Sequence, residues 1–206
     1  MELSTIKNII FDLGGVILDI DVLKTINGFK RIGLGEISGA SIAHSSFSFL
    51  EKYETGKIST EEFREELRKT AGIKIEDEVI DTVWNEMLIG IDPAKIDLLI
   101  RLRSQFRLIL LSNTNAMHEV MYNNMLKEIS GIENLRELFD DVYYSHTIHM
   151  RKPDREIFEY VLKTARLVPE ETLYIDDSKM HIDSAVKLGI VCYHLSPDDS
   201  ILNIFS

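Results

Sequence analysis

A single cysteine, Cys192, stands among 206 residues, so no disulfide forms within the chain and a packed core alone must hold the fold. It lies in the apolar run Ile190-Val191-Cys192-Tyr193, where a small buried thiol is expected. Four prolines and eleven glycines leave no Pro- or Gly-rich linker, and no repeat or low-complexity segment is present. The apolar runs, such as Leu108-Ile109-Leu110-Leu111, fall far short of the ~20 residues that span a bilayer. The N-terminal segment lacks a basic-then-apolar signal pattern, which leads us to expect a cytoplasmic protein. Basic residues are outnumbered 23 to 34, giving a formal charge of -11, and this balance argues against a nucleic-acid surface built on phosphate contacts.

What the chain does have begins at Ile6-Lys7-Asn8-Ile9-Ile10-Phe11-Asp12, followed by Leu13-Gly14-Gly15. Near-continuous Ile and Phe fit a strand covered on both faces, as in a parallel α/β sheet, and the paired glycines permit a sharp exit. Asp12 then stands at the carboxyl end of a strand, where open α/β sheets bind ligands. A capping role in the turn is the alternative for this stretch alone.

From Asp19 to about Gly90 the periodicity is helical. Helices are expected over 22–32, 43–55, 60–71 and 76–88, the third opened by the capping box Ser59-Thr60-Glu61-Glu62. Phe47, Phe49, Tyr53 and Phe63 supply the apolar centre of this insert. Alternation of helix and strand resumes at the Asp92-Pro93 helix start. Strands are expected at 108–111, 141–145, 172–175 and 190–194, with a helix from Pro93 leading to the first of them, helices at 116–127 and 134–139, one capped by Asp154, and one from about His181 to Gly189. The class is α/β: a doubly wound parallel sheet of residues 1–18 and 91–206, with a four-helix cap of residues 19–90.

Three expected strands end in polar residues: Asp12, Ser112 with Asn113, and Asp176 with Asp177. Parallel strands bring these tips to one edge, where crowded carboxylates need a cation, and hard oxygen donors suit Mg²⁺. Lys152, before a helix, adds a fixed positive charge. Such a set suits a phosphoryl group, with a nucleophile, oxygen-binding donors and a metal. Taken singly, Ser112 and Asn113 read equally as caps of the helix near Ala116, although Asn115 is the better cap. Asp183 faces solvent on its helix, and His118, His146, His149, His181 and His194 have no metal-ligand spacing.

The order of these stretches resembles the haloacid dehalogenase superfamily, in the subclass with a helical cap inserted after the first motif. The motifs are Phe11-Asp12-Leu13-Gly14-Gly15-Val16, Leu111-Ser112-Asn113-Thr114-Asn115, Arg151-Lys152-Pro153 and Tyr174-Ile175-Asp176-Asp177. The resemblance implies that Asp12 is a nucleophile forming an aspartyl-phosphate, with Ser112, Asn113 and Lys152 binding the phosphoryl oxygens. It also implies Mg²⁺ held by Asp12, the Gly14 carbonyl, Asp176 and Asp177, and a small phosphorylated metabolite as substrate. Phe-Asp-Leu-Gly resembles a sugar-phosphatase branch, glucose 1-phosphate included.

One departure bears on mechanism. Most phosphatases of this superfamily carry a second acid where this chain has Gly14, and that acid protonates the leaving group. General acid catalysis is worth ~10²–10⁴-fold, so the chain either depends steeply on leaving-group quality or draws its proton from elsewhere. Asp19, Asp21 and His44 are the candidates. Two rivals remain at this point: a metal-independent 2-haloacid dehalogenase, against which Asp176-Asp177 argues, and a non-catalytic phosphate-binding or regulatory module.

Overall fold

The structure, a computed structural model, describes residues 3–34 and 48–205. Five strands form one parallel sheet: β1 (Asn8–Phe11), β4 (Arg107–Ser112), β5 (Asp141–Tyr144), β6 (Thr172–Asp176) and β7 (Val191–His194). Their spatial order is β5-β4-β1-β6-β7. β1 is central, pairing Asn8–Phe11 with Arg107–Leu110 on one side and with Thr172–Ile175 on the other. The chain builds outward to β5, returns across β1 and builds outward again to β7. The direction therefore reverses at β1, and the tips of β1, β4 and β6 line the crevice opened there.

The period of two along each strand separates two apolar layers. Ile9, Phe11, Leu108, Leu110, Leu173 and Ile175 pack toward α5 (Pro93–Leu102) and α6 (Ala116–Ser130). Ile10, Ile109, Leu111 and Tyr174 pack toward α8 (Arg155–Thr164) and α9 (Lys179–Val186). Both faces are covered, which accounts for the unbroken apolar runs. Short helices α7 (Ser145–Ile148) and α10 (Ile201–Ile204) complete this part. No helix among the described residues is long and apolar enough to cross a membrane.

Between β1 and α5 lie α1 (Val22–Arg31), α2 (Ser48–Glu54), α3 (Thr60–Ala71) and α4 (Asp77–Asn85). They enclose a separate apolar cluster that includes Phe29, Phe49, Tyr53, Phe63, Leu67 and Trp84, with Met117 reaching in from α6. The Ser59 capping box is present, with Ser59 and Glu62 satisfying each other's backbone amides. The part of the expected second helix at 43–47, with His44 and Phe47, lies outside the described residues.

Several expectations need correction. The fourth helix stops at Asn85 rather than Leu88, and β3 (Leu88–Ile91) pairs antiparallel with β2 (Leu18–Ile20), a two-stranded ribbon where helix was expected. An apolar run as short as Leu88-Ile89-Gly90-Ile91 does not distinguish strand from helix by itself; its ribbon partner does. Asp154 precedes α8 without a side-chain cap bond, and α9 begins at Lys179 rather than His181. Cys192 is half-buried; its thiol donates to the Ile190 carbonyl at 3.4 Å and burial pushes it up to about 12.

Candidate active site

Asp12 and Asp176 close the neighbouring strands β1 and β6, and the buried Lys152 ammonium sits between them. Its Nζ lies 2.8 Å from Asp12 Oδ1 and 2.7 Å from Asp176 Oδ2. The Leu13 amide also donates to Asp12 Oδ1 at 2.7 Å, while the other carboxylate oxygen takes no hydrogen bond from the described residues. Asp176 is fully buried and accepts from Ser178 N at 2.7 Å, from His181 Nδ1 at 3.0 Å and from the Tyr174 hydroxyl. Asp177 is pressed over the turn after β1: a Cβ at Gly15, whose φ is +75°, would stand 2.3 Å from its Oδ2. Glycine is thus required twice over, by backbone conformation and by the carboxylate above it.

Lys152 is placed by Asn113. The Asn113 side-chain amide donates to the Lys152 carbonyl and accepts from the Lys152 amide, both at 2.9 Å, as one strand pairs with another. Both ends of the Asn113 side chain are thus engaged in holding the lysine. Ser112, 2% exposed at the end of β4, faces a small cavity of about 80 Å³ beside Gly14 and Tyr122.

The charges do not balance. Burial disfavours the charged form of Lys152, but the flanking Asp12 and Asp176 outweigh it and hold the ammonium above its ordinary range. Burial also opposes ionisation of Asp176, yet Lys152 and His181 hold it well below the usual carboxylate range. Asp12 fares differently: burial raises it, Lys152 pulls it back, and repulsion from Asp176 and Asp177 leaves it at about 7. Asp177 is raised by burial and then by Asp176. One lysine thus faces three carboxylates, a deficit of positive charge that a divalent cation would fill. Donor atoms of Asp12, Asp176 and His181 lie within 4.8 Å of one another, so the donor set fits a hard cation. His181 escaped the sequence reading because its only signal is a place one helical turn beyond Asp177.

Above these tips lies a cleft of about 300 Å³ that reaches from Asp12 and Gly14 to the helical insert. One wall is apolar, with Ile20, Val22, Trp84 and Met87; the other carries Glu54, Arg151 and His181. Larger hollows sit elsewhere, one beside α3 among Glu61, Glu62, Glu65 and Glu66, and they contain no strand-tip residue. Neither Asp19 nor Asp21 borders the cleft: Asp19 pairs with Lys95 at 2.7 Å, and Asp21 caps α1 through the Leu23 amide.

The insert is bonded to the strand-tip loops. Ser145 accepts from Thr114 N at 2.9 Å and donates to the Glu54 carbonyl at 2.6 Å. His149 Nδ1 donates to the Thr55 carbonyl at 2.8 Å, and a Cβ on Gly56 (φ +62°) would lie 2.1 Å from the His146 carbonyl oxygen. Asn115 caps α6 as expected, accepting from His118 N at 3.1 Å, and also receives the Trp84 indole N–H at 3.3 Å. His118 stacks on Trp84, with Nε2 donating to the Trp84 carbonyl and Nδ1 accepting from Asn115. Burial drives the His118 imidazole down to about 4, so it is neutral at physiological pH.

Comparison with known proteins agrees with this geometry. A family model described as haloacid dehalogenase-like hydrolase matches residues 6–189. A D-ribitol-5-phosphate phosphatase of Bacteroides thetaiotaomicron is 34% identical over 185 residues, 89% of each chain. A crystal structure of an enzyme of the family from the same organism, in complex with magnesium and inorganic phosphate, has a TM-score of 0.86 at 34% identity and covers 98% of this chain and 100% of that one. A family hydrolase from Porphyromonas gingivalis gives 0.86 at 31% identity, covering 98% and 97%. The chain belongs to the haloacid dehalogenase-like hydrolases.

Proposed function

We propose that the protein is a Mg²⁺-dependent phosphomonoesterase acting on a small sugar or polyol phosphate through an aspartyl-phosphate at Asp12. The observation that carries this reading is the surplus of carboxylate around Lys152, with Asp12 at the strand tip in a cleft shared by the sheet edge and the helical insert. Asp12, Asp176, Asp177 and the Gly14 carbonyl would hold the ion, with His181 supporting Asp176 from behind. The metal neutralises phosphoryl charge and orients the ester for in-line displacement. Lys152 and Ser112 bind phosphoryl oxygens, and Asn113 keeps the lysine aimed. Residues 1–18 and 91–206 act as the catalytic core, and residues 19–90 as a cap that excludes water around the leaving group.

The similarity to a ribitol-5-phosphate phosphatase supports a pentitol phosphate ahead of glucose 1-phosphate. A dehalogenase reading is disfavoured by the same charge deficit, because an activity without metal leaves three carboxylates against one lysine. Solved dehalogenases resemble this chain at 14–17% identity, which concerns the fold alone. The test is phosphate release from pentitol 5-phosphates, glucose 1-phosphate and 4-nitrophenyl phosphate, with and without Mg²⁺. Turnover should require the metal and vanish in a folded Asp12→Asn variant. Metal-independent chloride release from 2-chloropropionate would overturn the reading, and phosphate binding without turnover would leave a binding module.

A further inference from the structure

Position 14 does more than lack an acid. A Cβ there would lie 3.3 Å from Ile20 Cδ1, so the direction a longer side chain would take is filled by an apolar group from β2. The space beside Gly14 is thus bounded by hydrocarbon. A proton for the departing oxygen must come from another group on the cleft. Among the described residues the titratable candidates there are few. Asp12 is the nucleophile of the reading above, Asp177 crowds the metal position, and Lys152 is spent on two carboxylates. Both nitrogens of His118 are engaged, and His181 is turned to Asp176. Glu54 remains.

We propose that Glu54, carried on the cap helix α2, is the general acid that replaces the one absent at Gly14. The proposal rests on the phosphomonoesterase reading and adds a catalytic residue to it. Three features suit Glu54 to the role. Its place is fixed, since its own carbonyl is held by Ser145 and the next two residues are docked on His149 and His146. Its Oε2 is buried and lies 3.3 Å from an Arg151 guanidinium nitrogen, ready to stabilise the carboxylate left after proton donation. Burial, opposed by Arg151 and assisted by Glu51, raises the Glu54 carboxyl, and a bound phosphate dianion raises it further. The charged and titratable groups around it are Arg151, Glu51 on its own helix, His146 and His149 on the α7 side, and Asp12, Lys152, Asp177 and His181 across the cleft.

The step balances. The Asp12 carboxylate forms a bond to phosphorus as the ester P–O bond breaks. The bonding pair leaves with the alcohol oxygen, which takes the Glu54 proton, giving free alcohol, aspartyl-phosphate and a Glu54 carboxylate paired with Arg151. In the second step a water oxygen bonds to phosphorus while its proton goes to Glu54, and cleavage of the acyl-phosphate P–O bond restores Asp12 and releases hydrogen phosphate.

The test compares kcat/KM, which reports the phosphorylation step, for a pentitol 5-phosphate and for 4-nitrophenyl phosphate in the Mg²⁺-loaded protein. Nitrophenolate departs without a proton. Glu54→Gln should therefore lower kcat/KM about 10²-fold or more on the alkyl ester and less than about 3-fold on the nitrophenyl ester. The alkaline limb of the alkyl-ester pH profile should disappear with it, and Glu54→Asp should recover part of the rate. Equal losses on both esters would make Glu54 only a prop for Arg151, and no loss on either would dismiss it; both overturn the proposal. A leaving-group series on the wild type tests it without a variant: a shallow dependence is expected, and the steep dependence that Gly14 alone implies would overturn it. Wild-type protein inert toward both esters would instead bring down the phosphomonoesterase reading, and this proposal with it.

Discussion

The floor and the roof of the cleft are built on different terms. The floor is a set of strand tips whose backbone is fixed by a parallel sheet covered on both faces, and its buried lysine lies within 3 Å of two carboxylates. The roof comes from helices with a core of their own, joined to the floor by a few hydrogen bonds and by close backbone approach at Gly56. In the proposed reading the floor receives the phosphoryl group, and the roof, which brings Glu54 and Trp84 to the cleft, meets the leaving group.

Damage to the floor should be severe and the same for every substrate. Lys152→Met leaves Asp12 and Asp176 facing each other without their cation; breaking a buried pair costs about 3–5 kcal/mol. We expect that loss in chemical denaturation without metal, partial recovery with Mg²⁺, and at least ~10³-fold slower phosphate release on alkyl and nitrophenyl esters alike. A loss confined to one ester would break the comparison.

Damage to the roof should be milder and selective. Gly56→Ala forces a non-glycine residue to positive φ and a methyl group onto the His146 carbonyl, at a cost on the order of 1–3 kcal/mol. Because Glu54 is two residues away, kcat/KM on the alkyl ester should fall further than on the nitrophenyl ester, with Mg²⁺ affinity by titration calorimetry unchanged. Weakened metal binding would show that roof and floor are one unit.

The smallest effect at neutral pH belongs to the seam. His118→Gln should cost ~1 kcal/mol or less at pH 7. The folded wild type holds this imidazole at about 4 while the unfolded chain binds the proton near the ordinary 6.5. Stability linked to His118 is therefore complete above pH 6.5 and is lost as pH falls toward 4, by on the order of 3 kcal/mol. The variant should lack that part of the acid slope in denaturation midpoints taken across the window.

The floor was legible in the sequence because each tip combines an apolar run with an abrupt polar ending, and parallel pairing leaves one place for them to meet. Asp12, Asp176 and Asp177 stand together as that logic demands, while Lys152, in a loop, is legible only through the likeness of Arg151-Lys152-Pro153 to a family motif. The helices of the roof and the aromatics Phe49, Tyr53 and Phe63 at its centre were legible from their periodicity; its docking on the floor was not. Nothing in the periodicity marks Glu54, because its burial depends on docking against α7. Asn115 reads as a cap, which is right, yet its bond to Trp84 exists only once α4 meets α6. The ribbon of β2 and β3 escaped because its strands are short, irregular at Asp19/Ile20, and paired across the entire insert. Ile20 over Gly14 follows from that ribbon, so the closure of position 14 was hidden with it.

The placement of β1 has a consequence for how the molecule is made. Its partners begin at Arg107 and Thr172, so the strand that carries Asp12 emerges from the ribosome long before either neighbour. During that interval the insert already contains its own apolar cluster, except for Met117. Synthesis therefore favours assembling the helical unit first, with the sheet closing around β1 once β6 appears. Until then Ile9, Ile10 and Phe11, buried in the finished sheet, have no strand partner on either side.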